Sequence, residues 1–182
     1  VENGDSLSSA MIKHDNVFTN VYTSLVKSGE VSGSLDRSLV YLADQLEYLA
    51  KEYGAEKMSF DTIIASGKNG ALPHHKPTNK KIKAGELVTI DFGIYYQGYA
   101  SDITRTVAIG KISDKLKNIY NIVKKAQELG CQKAKAGITG SELDKVCRDY
   151  IQKKGYSKYF LHSTGHGLGM EVHELPYVSS SN

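Results

Sequence analysis

Polar and apolar residues alternate strictly over Leu87–Phe92: Leu87, Thr89 and Asp91 fall on one face, Val88, Ile90 and Phe92 on the other. A period of two is the period of a strand. A second β-rich run, residues 99–109, begins after Gln97-Gly98, so residues 84–110 read as a hairpin. With the turn at Gln97-Gly98, Asp91 pairs with Thr104 and Asp102 with Gly93. Residues 60–67 (FDTIIASG) read as a further strand, followed by a turn at Lys68-Asn69-Gly70 and a polar loop through residue 85.

Elsewhere the period is helical. Leu35, Leu39, Leu42, Leu46, Leu49 and Tyr53 recur at alternating spacings of four and three, an a/d seam on a helix over residues 34–54. Two shorter stripes precede it, over residues 6–13 and 17–26. Three helices with short breaks predict a small N-terminal bundle, or part of one. Two shorter stripes cover the seam only in part, so this end is expected to self-associate. Downstream, Leu116, Ile119, Tyr120, Val123, Ala126 and Leu129 mark a helix that begins at Ser113 or Asp114. Thr139 and Glu142 form a capping box for a last helix, with Leu143, Val146, Cys147, Tyr150 and Ile151 on one face. Helices laid beside an antiparallel sheet make the fold class α+β.

Composition narrows the function without naming it. The 182 residues are 40% apolar and 24% charged, in the globular range. A net charge of +3, from 23 basic against 20 acidic residues, is too balanced to indicate a nucleic-acid partner. No apolar run approaches the length of a membrane span. Cys131 and Cys147 lie apart without CxxC spacing, which fits reduced thiols and a cytoplasmic location.

Candidate chemistry centres on the hairpin. Asp91 and Asp102 project from one face as diagonal neighbours about 7–8 Å apart. Two such acids repel and are costly to bury unless a cation lies between them. The alternative is two acids that punctuate exposed strand ends. His162 and His166 are four apart, but Gly165, Gly167 and Gly169 argue against a helix that would aim both at one metal. His14 reads as a surface or capping residue.

IDFG, with SDITRT placing its Asp eleven positions after Asp91, resembles the first half of the metal site of the pita-bread metallopeptidases. FDTIIASGKNGALPHH before it and HSTGHGLGMEVHE after it are similar to the Xaa-Pro aminopeptidase and prolidase branch. The resemblance implies a partial pita-bread fold over residues 49–182 and hydrolysis of a peptide bond before proline. It implies Asp91, Asp102 and His166 as ligands to two divalent metal ions, Asp102 bridging them, with manganese first and cobalt, zinc or iron as alternatives. Such a pair activates a water for attack on the peptide carbonyl. It also implies His74 and His162 as substrate-binding histidines and His173 as a catalytic donor that stabilises the developing oxyanion. The substrate is then a peptide with proline at its second position. His75 departs from the family, which usually has Gly there, and would crowd the His74 loop.

The family draws two further ligands, both glutamates, from strands downstream of the last histidine. Only nine residues follow His173, and Glu171 and Glu174 stand beside it rather than on those strands. The chain is therefore expected to be incomplete and inactive as a peptidase.

Residues 1–48 resemble something else. DSLSSAMIKHDNVF and LVKSGEVSGSLDRSLVYLADQLE are similar to the cytoplasmic F domain of the inner-membrane platform protein of type II secretion systems and type IV pili. That implies a helical partner-binding segment able to contact the secretion machinery, or other copies of the chain, and fused to the peptidase-like part. Two other readings stand beside the peptidase: a non-enzymatic assembly component, and an inactive module that binds peptides.

Overall fold

The structure is a computed structural model that describes residues 39–181. The two N-terminal helices expected over residues 6–13 and 17–26, and the first turn of the third, lie outside the described residues. In chain order the elements are α1 (Leu39–Glu52), β1 (Lys57–Met58), β2 (Ile63–Ser66), a 3-10 turn (Gly67–Ala71), β3 (Leu87–Phe92), β4 (Ile94–Tyr96), β5 (Tyr99–Ala100), β6 (Ile103–Ala108), α2 (Asp114–Lys133), α3 (Gly140–Lys153), a 3-10 turn (Ser157–Tyr159), β7 (Gly165–Gly167) and β8 (Glu174–Val178). They form two compact units: residues 39–97 with Asp102–Ser113, and Gly98–Ser101 with residues 114–181.

In the first unit α1 ends where the sequence places its stop. Gly54 takes φ 93°, Gly54 N–H donates to Lys51 O at 2.9 Å and Ala55 N–H to Ala50 O at 2.9 Å. This is the Schellman closure, in which a left-handed glycine satisfies carbonyls that the helix leaves open. Leu39, fully buried, and Ala43 join Ile64, Val88 and Ile90 in one core, and Leu42, Leu46, Ile82, Phe92, Val107 and Ile109 pack against it. Of the expected seam, Leu39, Leu42 and Leu46 are covered by the sheet, Tyr53 is 68% exposed, and Leu35 lies outside the described residues. The helix α1 runs without a break across residue 48, where the secretion-like segment was expected to end.

That sheet is antiparallel in the order β2-β3-β6. Its register pairs Ile64 with Ile90, Asp91 with Thr104 and Phe92 with Ile103. The Asp91–Thr104 pairing is the one the alternation predicts. The expected hairpin arms are shorter than read. The first breaks at Gly93, and β4 enters a separate three-stranded sheet in the order β1-β4-β5, with Lys57 opposite Tyr95 and Met58 opposite Ile94. The second breaks at Ser101-Asp102, so Asp102 lies just outside the ladder. Positive φ at both Gln97 (51°) and Gly98 (79°) matches a primed turn, which suits the twist of flanking strands.

The second unit packs α2 on α3 through Ile122 and Ala126 against Cys147 and Ile151. Gly130 completes the buried face of α2; a Cβ there would stand 2.8 Å from Cys147 Sγ, so glycine makes room for the thiol. Cys147 donates to Ala126 O at 3.3 Å, and burial pushes its pKa up, which leaves it a packed thiol. The capping box is present as read: Glu142 N–H donates to Thr139 Oγ1 at 3.2 Å, and Thr139 N–H to Glu142 Oε2 at 2.9 Å. No helix among the described residues is long and apolar enough to cross a membrane.

Candidate active site

Asp91 sits on β3, and Thr104 on the neighbouring β6 donates to its Oδ1 at 2.7 Å. Its pKa is raised. Burial is the main cause, and the Asp102 carboxylate adds charge repulsion and a shared hydrogen bond, against which the Thr104 bond and the charge of His74 pull down. The structure therefore brings these two acids together, as the spacing predicts. Carboxylates placed so are short of positive charge, which is a fit for a divalent cation with oxygen and imidazole ligands.

His74 lies in the exposed loop after the first 3-10 turn, and Lys80 anchors that loop. Lys80 Nζ donates to Ser66 Oγ at 2.7 Å and to Glu86 Oε2 at 2.7 Å, while Lys83 N–H donates to Glu86 Oε2 at 3.2 Å. Burial alone would raise the Glu86 pKa. The Lys80 and Lys83 hydrogen bonds and the Lys80 charge outweigh it and hold the carboxyl below its ordinary range. His75 is half-buried, and its Nε2 is enclosed without a hydrogen-bond partner.

His166 and His173 belong to the second unit, on β7 and just before β8. Their rings stand 4.2 Å apart, centre to centre, at 52°. His166 Nδ1 lies 3.0 Å from Gly167 O. A carbonyl only accepts, so Nδ1 carries the proton and Nε2 the lone pair, the tautomer a metal-ligating imidazole needs. Gly167 is required by the strand pairing: a Cβ there would run into the backbone of Glu174 and Leu175 on β8. His162 is exposed and donates from Nδ1 to Ser163 O at 2.7 Å. Among the described residues, no three His, Cys, Asp or Glu side chains gather into a group that could hold a metal ion.

The loop carrying His162 and leading to His166 is held by groups the sequence reading passed over. Asp144 on α3, 1% exposed at its side chain, accepts from Arg148 Nε at 2.7 Å and Nη2 at 2.9 Å. It also accepts from Thr164 N–H at 3.1 Å and Thr164 Oγ1 at 2.7 Å. Burial would raise its pKa, but the Arg148 and Thr164 hydrogen bonds and the Arg148 charge prevail and lower it. The available signal was an acid and an arginine four apart beside the apolar face of α3.

A pH dependence follows from that shift. Asp144 has a folded pKa below its ordinary 3.8, so the stability it lends is complete above 3.8 and is lost as pH falls through the lower folded value. Urea midpoints measured from neutral pH downward should drop below pH 3.8 in the parent. Asp144→Asn should start lower and show a flatter acid limb. Parallel limbs would mean the pair contributes nothing to acid stability.

On a mixed helix and antiparallel-sheet fold, the first unit thus carries a pair of meeting acids and the second a pair of adjoining histidine rings. Metallopeptidase family M24 matches residues 5–182, and the chain belongs to that family. An Xaa-Pro dipeptidase of Pyrococcus horikoshii is 54% identical over 138 residues, 76% of this chain and 39% of that protein. The crystal structure of a prolidase from Thermococcus sibiricus superposes with a TM-score of 0.77 at 50% identity, covering 79% of this chain and 40% of the other. An X-Pro aminopeptidase from Thermotoga maritima gives 0.76 at 48%, covering 79% and 41%. The chain thus spans about 40% of the length of the relatives it matches. The M24 match runs from residue 5 through the secretion-like segment, and no similarity supports the F-domain reading of residues 1–48 or a contact with secretion machinery.

Proposed function

We propose that this chain carries part of the active site of a metal-dependent peptidase that cleaves the bond before a proline at the second position of a peptide. The meeting of the Asp91 and Asp102 carboxylates carries the reading, because Asp91, its pKa raised by burial and by the Asp102 charge beside it, calls for a cation. The identity to Xaa-Pro dipeptidases supports the substrate class. Asp91, Asp102 and His166 would hold the divalent ions, a pair of them, with Asp102 as the bridge. Manganese is the proposed ion, and cobalt, zinc and iron suit the same donor set. When bound, such ions polarise the peptide carbonyl and make a water acidic enough to attack it.

The remaining steps fall to the chain's own side chains. His166, with its proton held on Nδ1 by Gly167 O, offers Nε2 as a ligand. His173, beside it, donates to the carbonyl oxygen as negative charge develops there. His74 binds the substrate near the acids, and His162 lines the region that receives the proline ring.

Cobalt tests the assignment on this chain directly. Titration with Co²⁺ should produce visible absorption that EDTA removes and that Asp102→Ala abolishes. Equal Co²⁺ binding by parent and Asp102→Ala would sink the ligand assignment.

A further inference from the structure

Arg148 does more than neutralise Asp144. Besides its two bonds to that carboxylate, it donates from Nη1 to Phe160 O at 3.0 Å and from Nη2 to His162 O at 3.0 Å. Its guanidinium lies 4.5 Å from the centre of the Phe160 ring, and the Phe160 ring meets the His162 ring edge-on at 5.1 Å. Asp144 meanwhile takes both the N–H and the hydroxyl of Thr164. One i,i+4 pair on α3 therefore grips the chain at residues 160, 162 and 164, on alternate positions of a segment with no ladder of its own. Two residues past the last grip stands His166.

The chemistry suits a fixed geometry. A guanidinium presents several N–H donors in one rigid plane, so two can meet a carboxylate while others reach carbonyls. A lysine offers the same charge without the fork. The buried carboxylate offsets its desolvation only if all its donors keep their places, which makes the arrangement unforgiving of a shift in the loop.

We propose that Asp144 and Arg148 are positioning residues that set where His162 and His166 stand, the two histidines to which the proposed function assigns substrate and metal. The device acts through the backbone at Phe160, His162 and Thr164, and touches neither imidazole through Asp144 or Arg148 side-chain hydrogen bonds to the rings.

Nitrogen-15 and proton shifts of the histidine rings in the metal-free chain test this without any activity. Arg148→Lys keeps the charge beside Asp144 and loses the carbonyl grip. It should move the His162 and His166 ring signals while α2 amide signals and the melting temperature stay near the parent's. Thr164→Val, which leaves the ion pair intact and removes one donor, should move the same signals less. Lys145→Ala, on the same helix but paired with Asp149 in solvent, should move neither. Where Co²⁺ binds, Arg148→Lys should weaken it by about tenfold or more, the scale for groups that orient metal ligands. Ring signals unmoved in both Arg148→Lys and Thr164→Val would overturn the proposal. A parent chain that binds no Co²⁺ would remove the metal assignment instead, and the ring shifts would still decide the positioning role.

Discussion

Leu39→Glu should unfold the first unit. Leu39 has no exposed surface and packs with Ile64, Val88 and Ile90. Glutamate there either buries a charge or takes up a proton, and it also leaves the space of the lost leucine ill-filled. Truncating a buried leucine alone costs about 2–5 kcal/mol, and a polar head in the cavity adds to that. The sum is a large share of the roughly 5–15 kcal/mol that holds an ordinary domain. Hydrogen exchange at the Ile64 and Ile90 amides should rise to the unprotected rate, with the far-ultraviolet signal of β-structure lost. Tyr48→Glu, on the same helix but 58% exposed, should change stability by no more than about 0.5 kcal/mol. Protected sheet amides in Leu39→Glu would show that α1 and the sheet do not share a core.

The second large effect concerns catalysis and follows from the proposed roles. In the protein carried to the length of its relatives, Asp102→Ala should abolish hydrolysis of an Xaa-Pro peptide, because a bridging carboxylate holds both ions at once. His173→Ala should lower kcat by about 10²–10³-fold, the scale for one oxyanion donor, with bound metal unchanged. Metal content by atomic absorption separates the two. Equal metal loss in both variants would mean that His173 holds the metal or its neighbours rather than the substrate.

Much of the site was legible because its information is local. Alternation over Leu87–Phe92 sets the face of Asp91, and the turn at Gln97-Gly98 sets its partner, so the Asp91–Thr104 register could be counted. The capping box at Thr139 and Glu142 and the stop at Gly54 are likewise contained within a few residues. Strand ends were less legible. Nothing in residues 93–102 announces that β4 also pairs with β1, because that choice depends on a partner strand some forty residues earlier.

The periodicity of Leu39, Leu42 and Leu46 by itself determined that a helix with one apolar face exists; only the tertiary structure decided that β2 and β3 cover that face. A seam records how much surface must be buried and is silent about which surface buries it, since apolar burial is non-directional. The same division holds at the histidines. The sequence by itself determined that glycines flank His166 and keep a helix from forming there. That Asp144 and Arg148 grip the backbone ahead of it was decided by the folded chain, because hydrogen bonds to carbonyls at residues 160 and 162 carry no side-chain signature. Any residue types could stand at those positions and still accept the same bonds.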